Sequence, residues 1–466
     1  GWNAYLGRSI LYMMPSGIFP ETSQKCYQFV TGCGILYQCI RSMNEEGGRS
    51  VKRSGIIMWF LILCMLGGCS GLSMEELYCL PQAPEDYYDL QEALDAVLSQ
   101  GQSYQAPATG ARREPVQLVD LDGDGVDEAV AFFRCVEDGS VAAYIFARND
   151  SAYELAATIP CSGSAVGNVE YADLDGSGSL ELLITCQVSE AVTQALQGIR
   201  YRNGQTEVLL TVPCGQYVLT DLNHDGAKEI LCLTDSGAEA GAGAVCYTYI
   251  DDQLKASEEV RLSGSYSSIL KVCQGTLENG VAAATVTSSD DNRRITDVLI
   301  LSGKEELTTV DCGALGISAQ LEDGALYPTD IDGDGALEIP QAAELPAYGK
   351  DDGTEWVVSW YGLTSKGAST LKAETYHSFG EGWYLELPEA WQTSVTVTEA
   401  DEAFGACSIH TTGFYRLKSN GKPGAEILTI YALWGASRQE RAEQLGLTSL
   451  YSDTDMILAV DINEEA

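Results

Sequence analysis

One nine-residue acidic loop occurs four times in this chain. It reads Asp-Leu-Asp-Gly-Asp-Gly-Val-Asp-Glu at 120–128 and returns in altered form at 173–181, 221–229 and 330–338. Carboxylates this close repel one another unless a cation sits among them. Positions 1, 3 and 5 are Asp120, Asp122 and Asp124; Asp173, Asp175 and Ser177; Asp221, Asn223 and Asp225; and Asp330, Asp332 and Asp334. Position 6 is always glycine (Gly125, Gly178, Gly226, Gly335), which permits the positive φ of a tight turn. Position 9 is always glutamate: Glu128, Glu181, Glu229 and Glu338. Alternate residues of such a loop point at one centre, and hard cations take oxygen ligands from flexible loops. These side chains are the expected ligands of up to four Ca2+ ions.

The loops begin 53, 48 and 109 residues apart, and the last gap is about two periods. A degenerate unit is therefore expected near 276. There Asn279-Gly280, a strong hairpin signal, stands in place of the acidic loop. Each unit holds four short β-branched or aromatic runs. In the first these are PVQLV, EAVAFF, AAYIFA and YELAATI; in the third, QYVLT, EILCL, VCYTYI and EEVRL. Four short strands between Gly, Asp, Asn and Ser turns, repeated every fifty residues, predict stacked blades. The expected fold is mainly β: a β-propeller of about five four-stranded blades over 115–376. A small α+β domain follows at 377–466, with strands at 427–434 and 456–462. Its short helix is opened by a Ser437–Glu440 capping box.

The loops must be separated from EF-hands. An EF-hand needs a bidentate glutamate at position 12. Position 12 here is Ala131, Ile184, Cys232 and Gln341, and a strand rather than a helix starts at position 10. The nine-residue pattern resembles the FG-GAP/VCBS repeats of the integrin α-chain propeller and of many bacterial surface lipoproteins. The resemblance covers about 115–345 and is specific in four loops. It implies structural calcium held between two strands of a blade. Gly176 and its neighbours (175–179, DGSGS) also match a metal-dependent adhesion motif, but here that stretch is simply the second loop. His224, at loop position 4, is expected to point outward.

The amino-terminal part has another character. A basic flank at 49–53 precedes an eleven-residue apolar run at 56–66. That run is too short to span a bilayer and suits a signal peptide. It leads into Leu66-Gly67-Gly68-Cys69, which resembles a bacterial lipobox, so Cys69 is expected to carry the lipid anchor. The expected segments are an upstream extension outside the mature fold at 1–42, a lipoprotein signal peptide at 43–69, and a linker with an amphipathic helix at 70–114. The helix is expected to pack on the blades through Tyr87, Leu90, Leu94, Val97 and Leu98.

Fifteen cysteines include ten beyond Cys69, none in a CxxC. Cys135, Cys186 and Cys232 follow their loops' first Asp by odd offsets, so they share one strand face. They are small buried apolar residues or members of one or two disulfides. With three histidines, a zinc centre is the poorest reading.

A net charge of −40 argues against nucleic acid, whose phosphates require basic residues. No GxSxG, HExxH or P-loop is present. The expectation is a lipid-anchored, extracytoplasmic binding or scaffolding protein of a bacterial cell envelope, with a protein or glycan ligand and without enzyme activity. The alternative is a secreted carbohydrate- or lipid-active hydrolase or lyase built on the propeller. Aromatic stretches at 356–362 and 382–391 suit sugar stacking or, more simply, the core.

Overall fold

The computed structural model describes residues 3–6, 9–13, 88–149, 152–188, 194–235, 241–290, 293–319, 321, 326–349, 354–391 and 394–463. The chain divides into two units, Pro20–Glu92 and the remainder. Cys69, the signal segment and Tyr87 lie outside the described residues. Two short strands, β1 (Asn3–Leu6) and β2 (Ser9–Met13), precede them. Helix α1 (Tyr88–Leu98) buries Leu90, Leu94 and Val97, the 3.6-period stripe read from the sequence.

Four antiparallel sheets follow. The first contains β3 (Gln102–Tyr104), β4 (Val116–Val119), β5 (Glu128–Cys135), β6 (Val141–Asn149) and β7 (Ala152–Pro160), with both β3 and β4 paired to β5. The second orders β8 (Ala165–Ala172), β9 (Glu181–Gln187), β10 (Gln194–Arg202) and β11 (Gln205–Pro213) as a meander. The third contains β12 (Gln216–Thr220), β13 (Glu229–Asp235), β14 (Ala242–Ile250), β15 (Gln253–Ala256) and β16 (Val260–Arg261). Its outer strand is split in two and begins earlier than the EEVRL run suggests. At the break, the backbone N–H of Ser257 donates to the Cys246 carbonyl, while the Cys246 N–H donates to Ser257 Oγ. The fourth contains β17 (Ile269–Thr276), β18 (Ala282–Asp290), β19 (Arg293–Ser302), β20 (Glu306–Val310) and β21 (Ile317–Ala319). Asn279-Gly280 lies in the β17–β18 hairpin, with Gly280 at φ 75°.

The last sheet starts with β22 (Glu338–Gly349), β23 (Thr354–Leu363), β24 (Ser369–Ser378) and β25 (Trp383–Glu386). It continues through β26 (Val395–Phe404), β27 (Cys407–Leu417), β28 (Pro423–Gly435), β29 (Thr448–Ser452) and β30 (Met456–Ile462). With β1 and β2 it has eleven strands, ordered β1-β2-β25-β24-β23-β22-β26-β27-β28-β30-β29. β22 and β26 run parallel, so the fifth unit and the carboxy-terminal strands share one sheet. Helix α2 (Arg438–Leu445) starts after Ser437, whose side chain makes no capping bond. It ends at Gly446 in the left-handed conformation.

The second strand of each unit explains the stacking. Ala129 to Phe133, Leu182 to Ile184 and Ile230 to Leu233 are buried on both faces. Side chains alternate across a strand, so each such strand serves two cores. Leu182 and Ile184 share a cluster with Val130 and Phe132 of the preceding sheet. Leu183, between them, packs with Ile230 and Cys232 of the following sheet. Leu231 and Leu233 then meet Ala284 and Val286, and Ala283 meets Ile339. Consecutive sheets thus pack face to face.

Candidate metal centres in the acidic loops

The first three acidic loops join β4 to β5, β8 to β9 and β12 to β13, the fourth lies between the isolated Thr329–Glu338 bridge and β22, and one backbone cradle recurs. Position 2 is an apolar anchor: Leu121, Leu174 and Leu222 are buried and Ile331 is half-buried. The glutamate at position 9 bends back onto it. Oε2 of Glu128 accepts the Leu121 N–H at 2.8 Å, Glu181 that of Leu174 at 2.9 Å, Glu229 that of Leu222 at 2.7 Å, and Glu338 that of Ile331 at 2.9 Å. The aspartate at position 1 accepts the N–H of the position-6 glycine at 2.9–3.1 Å in every loop. Those glycines have φ of 88–92°, a conformation that a Cβ would strain.

This folding-in converges the carboxylates. Ligand oxygens of Asp120, Asp122 and Glu128 lie within 4.8 Å of one another, as do those of Asp173, Asp175 and Glu181, and of Asp330, Asp332 and Glu338. The third loop differs because Asn223 stands at position 3; its Nδ2 donates to Glu229 Oε1 at 2.7 Å. The position-5 side chains Asp124, Ser177, Asp225 and Asp334 turn to the backbone, each capping the N–H two residues on. His224 is exposed, at φ 59°.

Burial raises the glutamates. Glu128, Glu229 and Glu338 are pushed up to about 7, chiefly by desolvation, with the neighbouring acids adding to it. Two buried carboxylate oxygens, Asp221 Oδ1 and Glu338 Oε1, have no hydrogen-bond partner. An orphaned buried oxygen is costly and calls for a proton or a cation. The donors are all oxygen, which suits a hard divalent ion. Acid density, N–H cradle and orphaned oxygens together suit a hard divalent cation.

Four basic side chains enter these loops, and the sequence pattern did not reveal them. Arg200 and Arg202 alternate on β10 and reach back into the second loop. Arg200 Nε lies 3.1 Å from Glu181 Oε1 and its Nη2 3.1 Å from Asp175 Oδ2; Arg202 Nη2 lies 2.7 Å from that oxygen and also donates to Ser177 Oγ. The Arg200 guanidinium sits 4.8 Å over the Tyr249 ring of the next sheet. Lys304 Nζ reaches Asp225 Oδ2 at 3.1 Å, and Lys372 Nζ reaches Asp334 Oδ2 at 3.1 Å. The available signal was a pair of arginines two apart on a strand of a chain poor in basic residues.

The loops also touch one another. Leu180 N–H donates to the Leu121 carbonyl at 2.8 Å, and Lys228 N–H to the Asp173 carbonyl at 2.9 Å. The Leu337 N–H donates to the Thr276 carbonyl at 2.8 Å, so the Asn-Gly hairpin takes the place of a loop in this series. Of the aromatic stretches, Trp360 and Trp383 are each 1% exposed and belong to the core, which removes them as sugar platforms. Trp360 Nε1 donates to Thr375 Oγ1 at 2.7 Å.

No protein-family model and no curated protein matches the chain. Solved structures align only loosely. A Lactobacillus plantarum protein is 11% identical, with a TM-score of 0.25, over 65% of this chain and 90% of its own. The Bacillus licheniformis rhamnogalacturonan lyase is 10% identical, with a TM-score of 0.28, over 76% and 90%. Saccharomyces cerevisiae Sqt1 is 8% identical, with a TM-score of 0.26, over 77% and 100%.

Proposed function

We propose that the chain is a calcium-stabilised binding or scaffolding protein, anchored by a lipid on Cys69 at the outer side of a bacterial envelope. In this reading the stacked sheets are blades of an FG-GAP/VCBS-like propeller and the acidic loops are its calcium sites. Asp120, Asp122 and Glu128, with their counterparts in the other loops, hold the ion. The ion supplies charge compensation and no chemistry. The observation that carries the reading is the shared cradle of converging carboxylates, with Glu338 Oε1 buried and unpartnered beside Asp330 and Asp332. Membrane attachment comes from the anchor; no described helix is long and apolar enough to cross a membrane. The ligand is a protein or a glycan, met through the exposed acidic surface. The test is equilibrium calcium titration of the purified chain, followed by a screen against glycan and matrix-protein arrays with calcium and with chelator. Saturable calcium uptake with calcium-dependent capture supports it. No calcium uptake at millimolar concentration rejects it.

A further inference from the structure

Two pairs of cysteines meet at successive junctions between sheets, in the same geometry. Cys161 follows directly on the last strand of the first sheet, and Cys214 on the last strand of the second. Each lies 41 residues after the first aspartate of its own loop, Asp120 and Asp173. Their partners sit on the second strand of the next sheet, on the face that looks back. Cys186 shares a core with Cys161, and Cys232 shares a core with Cys214. The thiols of each pair perturb one another: Cys161 is held protonated beside Cys186, and Cys232 beside Cys214. The next junction has the same place without sulfur. There Leu262, 41 residues after Asp221, packs with Ala284 and Val286. An apolar contact suffices at that position, so paired thiols at two junctions running are an addition to it.

We propose that Cys161–Cys186 and Cys214–Cys232 form disulfides that staple the first sheet to the second and the second to the third. The oxidant is a disulfide donor, supplied as the chain folds outside the cytoplasm; only that supply rests on the envelope reading. One protein thiolate attacks a donor sulfur and expels the first donor thiol. The partner thiolate attacks the mixed disulfide and expels the second. One protein S–S bond forms, one donor S–S bond is reduced, and both protein protons end on the donor thiols. Cys186 is the better first nucleophile, because the neighbouring Cys161 thiol lowers its thiol while Cys161 is itself held protonated. Cys186, Cys214 and Cys232 are buried in the finished fold, so closure accompanies folding. Cys246 and Cys407 are also buried, and neither shares a core cluster with another cysteine, which makes them internal controls.

The test folds the full chain in a reduced and oxidised glutathione buffer. Free thiols are then alkylated in denaturant without reductant, and the digest is mapped by mass spectrometry. The expected result is two reductant-sensitive linked peptides, 161 with 186 and 214 with 232, with Cys246 and Cys407 alkylated. Cys161→Ser frees Cys186 to alkylation and leaves the other pair linked. Full alkylation of all four cysteines, or other pairings such as 161 with 214, overturns the proposal. The same result leaves the calcium reading intact, because chelation and calcium titration read that separately.

Discussion

Arg200 Nε rests 3.1 Å from Glu181 Oε1, at the point where the second loop's carboxylates converge. The loop's own side chains thus receive a cation from the next-but-one strand. Glu181 is wholly buried, and Arg200 is 11% exposed. Arg200→Ala should leave Asp175 and Glu181 to Arg202 alone, 2.7 and 3.8 Å away, at a cost of up to about 3 kcal/mol, the scale for removing one partner of a buried pair. The loss should be largest in chelator and partly restored by millimolar calcium, which then takes the guanidinium's place. Thermal unfolding of the variant in both conditions checks it; an equal loss in both refutes the replacement.

Calcium should raise the melting temperature, and the loops should contribute unequally. At positions 1, 3, 5 and 9 the first and fourth loops carry four carboxylates each, whereas Ser177 and Asn223 are neutral substitutes in the other two. At 100 times Kd one ion adds about 2.7 kcal/mol by mass action. Asp122→Ala or Asp332→Ala should lower the calcium-dependent rise more than Ser177→Ala does. Equal melting temperatures in calcium and in chelator would leave the loops as acidic turns.

The glutamates give this calcium effect a pH dependence. Glu128, Glu229 and Glu338 stand near 7 without metal, above the ordinary carboxylate value of about 4.5. A raised carboxyl favours the folded state while protonated. That stability is present below about pH 4.5 and is lost as pH rises through about 7. Calcium requires the ionised form, so its affinity should fall as pH drops through the same range. Calcium titrations at pH 5, 6, 7 and 8 (chosen to bracket that range) should tighten steadily to about 7 and then level off. Constant affinity from pH 5 to 8 contradicts the assignment of these glutamates as ligands.

A second titration lies in the last sheet. His410 faces Glu399, with Nε2 3.6 Å from its Oε1, and Asp401, with Nδ1 2.7 Å from its Oδ1. These two carboxylates, Glu399 first, hold the imidazole up at about 9, with Glu381 adding to the field. The stabilisation is complete below about pH 6.5 and is lost as pH rises through about 9. His410→Asn should flatten the alkaline fall in melting temperature over that interval. An unchanged fall assigns it elsewhere.

Anchoring is tested apart from the fold. Cys69→Ser should move the chain from the membrane fraction to the medium in a lipoprotein-processing host. Membrane retention of that variant requires another anchor.

The loops were legible because their geometry is written in contiguous residues. Aspartate at 1, glycine at 6 and glutamate at 9 close the cradle with hydrogen bonds spanning five to seven residues. The strands were legible for the same reason, since short β-branched and aromatic runs between turn residues need only neighbours in sequence. The Ser437 capping box was not realised, because a cap depends on a side-chain geometry that composition alone does not impose. Everything that joins one unit to the next was decided by tertiary structure. Lys304 meets Asp225 across 79 residues, and the β22–β26 pairing places the carboxy-terminal strands in the fifth unit's sheet. Odd offsets from the loops put Cys186 and Cys232 on one face, yet their partners Cys161 and Cys214 depend on how one sheet lies on the next. A sequence period fixes which face a side chain takes, because the backbone alternates locally. Which atoms meet that face depends on the register between sheets, a property of the packed whole.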